Sequence, residues 1–263
     1  MFFRNCDVIY KVFINFGENR LISDIILNKA HKKYNNLDMK SMNKLSILLT
    51  FFLVLSLSAA NSKLVKLVIE YPEKLVKGTE VPKKIPNLEK ARAKDTAPAL
   101  IKIPEGCENL AEEKEVTASD EDPSIGDLDY IVDGDADGNE YIQMKEGLQW
   151  VQINLEEKKE LHAAHLWHYH AQPRVYFDII VQVSNDPDFI EGVTTVFNNH
   201  HDNSSGLGKG TDQNYIEEYY GKSIPLKGTK GQYVRFYSQG NSADKSNHYI
   251  EIQVYGKLNK NSF

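Results

Sequence analysis

The chain has 263 residues, 41% of them hydrophobic and 26% charged, with a formal net charge of −6. That composition excludes a disordered polymer and fits one globular domain with additional segments. Affinity for nucleic acid or for an anionic membrane rests on an excess of Lys and Arg, so the acidic balance argues against both as partners.

The first readable element is a signal segment. Met42-Asn43-Lys44 is a short basic start, Leu45–Leu57 is apolar, and Ser58-Ala59-Ala60 places small residues at a cleavage site. The apolar run is shorter than the roughly 20 residues a spanning helix needs, so residues 42–60 read as a secretory signal peptide cleaved near Ala60. Export would deliver the protein to the medium, the periplasm or the cell surface. Residues 1–41, upstream of that signal, read as a gene-model extension. Residues 1–60 together hold twice as many Lys and Arg as Asp and Glu, so the remainder is more acidic than the whole.

Residues 61–106 carry Pro72, Pro82, Pro86, Pro98 and Pro104 among Lys and Glu. Proline forces extended backbone and withholds a ladder donor, so this stretch is expected to be a linker. It contains a short strand at 64–70 and a weaker helical option at 88–94. Of the two cysteines, Cys6 lies upstream of the signal segment, which leaves Cys107 without an internal disulfide partner.

From Asn109 onward, short alternating strands separated by turn signals predict an all-β sandwich. Val116–Ser119, Gln149–Leu155, Val175–Ser184, Tyr233–Tyr237 and Ile250–Gly256 are the expected strands. Val151, Ile153 and Leu155 share one face, as do Val175, Phe177, Ile179, Val181 and Val183, and as do Ile250, Ile252 and Val254. Residues 258–263 are a tail.

Before the long strands, Asp133, Asp135 and Asp137 alternate and end at Gly138. Closely spaced carboxylates favour a hard cation such as Ca²⁺. An EF-hand is excluded, because its twelfth position would be Met144. The most distinctive polar stretch is Trp167–Arg174, in which His168 and His170 lie two apart and are expected to project to one side of an extended chain. With Arg174 they could bond vicinal hydroxyls, and Tyr169 or Tyr176 could stack on a pyranose. Two further polar stretches are residues 198–206 and 240–248, the latter with Asn241 and His248. A rival grouping is a transition-metal site of His168, His170, His200 and His201. No nucleophile elbow, phosphate loop or HExxH occurs, so no enzyme is expected; a glycosidase reading would have to use Asp178 and Glu251.

Residues 107–257 resemble the discoidin, or coagulation factor 5/8 type C, family. The resemblance is carried by Asn109-Leu110-Ala111 with Val116-Thr117-Ala118-Ser119, by Ile131-Val132-Asp133-Gly134-Asp135, by Trp150-Val151-Gln152-Ile153-Asn154-Leu155 with Asn154 where the family has Asp, and by Tyr233-Val234-Arg235 and Glu251-Ile252-Gln253-Val254-Tyr255-Gly256. It implies a galactose-binding-like jelly-roll β-sandwich, here preceded by the signal peptide and extended linker. It also implies one structural Ca²⁺ held by Asp133, by a carbonyl near Asp135 or Tyr130, and by Glu251; where the family often has Thr, this chain has Gly138. The implied role is a secreted binding module for carbohydrate or glycoconjugate, the alternative being adhesion to a cell-envelope protein. A lipid-surface role ranks last, because the loops expected at the recognition end are polar.

Overall fold

The computed structural model describes residues 63–75, 82, 84–93 and 96–258; the expected extension 1–41 and signal peptide 42–60 lie outside them, as does the tail beyond Leu258. Eleven strands are present among the described residues: β1 (Leu64–Lys66), β2 (Lys102–Pro104), β3 (Cys107–Asn109), β4 (Val116–Ala118), β5 (Ile142–Met144), β6 (Gln149–Trp167), β7 (Ile180–Ser184), β8 (Thr194–Asn198), β9 (Lys222–Ser238), β10 (Asn247–Tyr249) and β11 (Glu251–Lys257). A 3₁₀ turn, Leu128–Val132, is the one helical element among them. The expected all-β fold is what the chain forms.

Two long strands build the sandwich. The first part of β6 pairs with β4 and with the end of β9, whereas its second part pairs with β11 and with the start of β9. The ladder between β6 and β9 breaks register between Asn154 and Lys159 and again between Leu161 and Ala163. Such irregularities bend a sheet, so one antiparallel sheet, ordered β3-β11-β6-β9-β7-β8, folds over on itself. Val151, Ile153, Val181, Val183, Val234 and Phe236 from one layer then meet Leu161, Ala164, Leu166, Ile224, Ile252 and Val254 from the other. The predicted faces of Val151/Ile153/Leu155 and Ile252/Val254 are core faces. Ile250 instead packs in a second cluster, and regular strand starts only at Ile180, so Val175 and Phe177 precede it in irregular chain.

The second cluster draws in described residues of the segment expected to be linker. Leu67, Ile69 and Ile103 pack on Ala136, Ala163, Trp167 and Ile250, covering the outer side of the second layer. The described residues between 63 and 106 therefore include a strap laid on the sandwich. Pairing of β1 with β2 starts it, the Leu67 N–H donates to the Ile101 carbonyl at 2.9 Å, and Tyr71 meets Tyr220 edge-on at 5.1 Å. Farther along, Asn87 and Glu89 exchange backbone hydrogen bonds with Asn214, and Lys222 pairs with Glu89 at 2.7 Å. Residues 88–93 are irregular rather than helical; these cross-chain bonds hold the backbone extended where local propensity had no packing to consult.

Candidate functional site

Two of the three polar stretches meet. β5 and β10 pair with His248 opposite Gln143, and the chain leaving β6 turns back beside them, so that the Arg174 guanidinium reaches Asp244 at 3.1 Å and Gln172 at 3.3 Å. At the meeting point Tyr141 and Tyr169 pack with ring centroids 4.7 Å apart. His248 borders both, at 5.7 and 6.0 Å, and Arg174 lies over the Tyr169 ring at 4.8 Å. Tyr141, Gln143, Tyr169 and Gln172 are half-buried and Asp244 is exposed, so the patch is open to solute. Half-buried aromatic faces rimmed by amide, guanidinium and carboxylate groups can stack on an apolar ring face and hydrogen-bond its hydroxyls.

The remaining predicted ligand groups lie behind the patch. His168 is completely buried, stacked on Tyr176 at 4.2 Å, with Nδ1 3.1 Å from Glu217 Oε2. Burial pushes His168 down to about 3 and Glu217 well above the usual carboxylate range, so the pair is neutral. Tyr176 is likewise core, its hydroxyl 3.1 Å from His248 Nδ1. Asn241 spends its carbonyl oxygen on the N–H groups of Ala243 and Asp244 and its amide on Asp244 and Ser246, holding its own loop. His170 Nε2 meets the Ala136 carbonyl at 2.9 Å and so fastens the Asp-rich loop. The expectation that His168 and His170 share a side fails because β6 ends at Trp167; period-two alternation ends with the strand.

The third polar stretch, 198–206, is elsewhere. His200 lies 2.7 Å from Asp178 and its Nε2 accepts the Ser205 N–H at 3.2 Å, and His201 meets Asn87 at 3.0 Å. The four histidines of the rival metal grouping thus serve separate contacts, and no group of three or more His, Cys, Asp or Glu side chains converges among the described residues. Asp178 and Glu251, the glycosidase pair, engage different loops. Tyr141 and Gln143 went unnoticed in the sequence, and Gln172 and Asp244 were not singled out within their polar stretches; Tyr141 precedes, and Gln143 lies within, a three-residue strand too short to show periodicity.

On the Asp-rich loop, Asp133 Oδ1 accepts the Asp135 N–H at 2.8 Å and Asp135 Oδ1 accepts the Asp137 N–H at 2.7 Å. Glu251 is completely buried beneath it; Oε2 accepts the Gly134 N–H at 3.4 Å and Oε1 has no hydrogen-bond partner. Burial, with a smaller contribution from Asp133, pushes the Glu251 carboxyl up to about 9. A buried carboxyl with an unpartnered oxygen beside a second carboxylate fits a hard divalent cation, with carbonyl oxygens completing the shell. Tyr130 lies just upstream on the 3₁₀ turn and packs against the core. The loop borders a cleft of about 670 Å³ whose wall includes Glu70, Glu73, Glu112 and Asp137, a negative field that concentrates cations.

No family model matches the chain, and no curated protein matches it. Solved structures similar to it include the fucose-binding module SpX-3 of Streptococcus pneumoniae, at 20% identity and TM-score 0.40 over 57% of this chain and 99% of that one. Chitosan-binding module 1 of a Paenibacillus sp. IK-5 chitosanase/glucanase aligns at 22% identity and TM-score 0.40, covering 57% and 99%. A family 89 glycoside hydrolase of Clostridium perfringens aligns at 20% identity and TM-score 0.44 over 59% of this chain but 15% of the enzyme. The architecture assigned to this chain rests on its own topology.

Proposed function

We propose that the chain is a secreted, non-catalytic module that recognises carbohydrate or glycoconjugate at the Tyr141/Tyr169 patch. The observation that carries this reading is the convergence of two polar loops on a pair of half-buried tyrosines, with Arg174, Gln143 and Gln172 placed around them. Aromatic stacking supplies sequence-independent affinity for the apolar face of a sugar, and planar amide and guanidinium groups supply orientation. Arg174 is already paired with Asp244, so the patch favours a neutral saccharide over a uronic acid. A shallow site of this kind binds weakly by itself and gains from multivalency.

Ca²⁺ held by Glu251, Asp133 and carbonyl oxygens near Tyr130 and Asp135 would tie the Asp-rich loop to β11. Its role would be structural, since Glu251 and Asp133 belong to the loop and β11 rather than to the patch. The test is a glycan array probed with and without chelator. Binding that free sugar competes away, and that Tyr141→Ala and Tyr169→Ala abolish, supports the reading. Silence across all glycans, together with specific capture of a cell-envelope protein, replaces it with the adhesion alternative.

A further inference from the structure

Behind the patch, the side chains of Tyr176, His248, Gln143 and Ser124 form a hydrogen-bonded chain whose direction can be worked out from its Ser124 end. There the Ser124 hydroxyl donates to the Gln143 main-chain carbonyl at 3.1 Å. That spends its one hydrogen, so toward the Gln143 side chain at 3.3 Å Ser124 Oγ can only accept, and the group facing it is the amide nitrogen. Gln143 Oε1 is thereby turned to His248 Nε2, at 3.2 Å, and that nitrogen must carry the ring proton. With Nε2 protonated, His248 Nδ1 accepts from the Tyr176 hydroxyl 3.1 Å away, so Tyr176 donates to His248, His248 to Gln143, and Gln143 to Ser124. Each bond polarises the next in the same sense.

We infer that Tyr176 and Ser124 are positioning residues of the recognition patch: from opposite ends of the chain they hold His248 as the Nε2–H tautomer and orient the Gln143 amide. The inference rests on the glycan reading only for its consequence. Gln143 is half-buried, two residues from Tyr141 on the same side of β5, and its carbonyl is held on the side of His248, which borders both tyrosine rings. One lone pair of that oxygen stays free, so the edge of the patch presents an acceptor and selects a ligand hydroxyl over an ether or carbonyl oxygen. Tyr176 does this without touching ligand, since it is 1% exposed.

The experiment is two-bond ¹H–¹⁵N spectroscopy of the histidine rings in the full chain, with His248 assigned by its loss in His248→Gln. The wild type is expected to show a single Nε2–H tautomer for His248. Tyr176→Phe keeps the ring that stacks on His168 and removes only the donor. It should move the Nδ1 resonance, and adding Ser124→Ala, which frees the amide to turn over, should give a tautomer mixture. An Nδ1–H or doubly protonated ring in the wild type overturns the inference, whether or not the variants fold. So does a Tyr176→Phe spectrum that superposes on the wild type. In parallel, glycan affinity should fall about tenfold in Tyr176→Phe, against full loss in Tyr141→Ala. A wild type that binds no glycan sinks the proposed function and leaves the tautomer result to stand or fall by itself.

Discussion

At the scale of single residues, burial decides which polar groups can meet a solute and which titrate abnormally. Glu251 gives the sharpest case. Its carboxyl is held at about 9 in the folded chain, above the ordinary value near 4.3, so its contribution to stability is full below the ordinary value and fades as pH rises toward 9. Bound Ca²⁺ would need the ionised form. We predict that Ca²⁺ raises the melting temperature more at pH 8.5 than at pH 6, and that Glu251→Gln removes both the Ca²⁺ effect and its pH dependence; scanning calorimetry with and without chelator reads this directly. Glu217 is a second buried acid, held neutral against His168. Glutamine mimics the neutral acid, so Glu217→Gln should cost under about 1 kcal/mol, whereas Glu217→Ala strands the imidazole and should cost about 1–3 kcal/mol by denaturant titration.

At the scale of elements, the strap matters most. The outer face of the second part of β6 carries Ala163, His165 and Trp167, all with no exposure. His165 and Trp167 are held by the loop leading into β9: His165 Nε2 meets the Tyr220 carbonyl at 3.0 Å, and Trp167 Nε1 donates to the Tyr219 carbonyl at 3.0 Å. Gly221 makes this closeness possible. Its φ is +60°, and a Cβ there would lie 2.6 Å from His165 Nε2 and 2.8 Å from Trp167 Nε1. Hydrophobic cover over Ala163 and Trp167 comes from Leu67, Ile69 and Ile103, each worth about 1.5–3 kcal/mol when buried. A chain starting at Cys107 should therefore lose on the order of 5 kcal/mol, or roughly 10–20 °C of melting temperature, and expose the Trp167 ring to solvent quenchers. If the shortened chain melts with the intact one, the strap is only a tether. The sequence pattern here was half legible: Leu67 and Ile69 alternate with the exposed Val68, which marks a one-sided strand, but the prolines that follow from Pro72 onward outweighed that signal.

At the scale of the whole molecule, buried histidines set the acid limit. Burial lowers His165 and His248 to about 4 and His168 to about 3, and lowers His170 as well. Below the ordinary value near 6.5 the unfolded chain binds protons that the folded chain refuses. Stability from these groups is therefore complete above about pH 6.5 and is lost as pH falls toward 4. We predict a steep drop in melting temperature between pH 6 and 4, flattened in His248→Gln by one histidine's share; a flat profile over that range would mean the rings are solvated. Because the same His248 borders the recognition patch, glycan affinity should fall over the lower part of this window.

The sequence by itself determined the class of fold and most of the core. Val151, Ile153, Val181, Val183, Ile252 and Val254 are readable as inward residues because strand alternation is a local, period-two property. It also located the Asp-rich loop and two of the polar stretches that meet. Tertiary structure decided everything that depends on approach from a distance. It laid the presumed linker on β6, sent His168 and Tyr176 into the core while leaving Tyr169 half exposed, and brought Tyr141 and Gln143 to His248 across more than a hundred residues. The physical reason is that accessibility and hydrogen-bond direction belong to pairs of segments: an imidazole just past a strand end is a ligand or a core group depending on what packs over it, and nothing in its own neighbours records that.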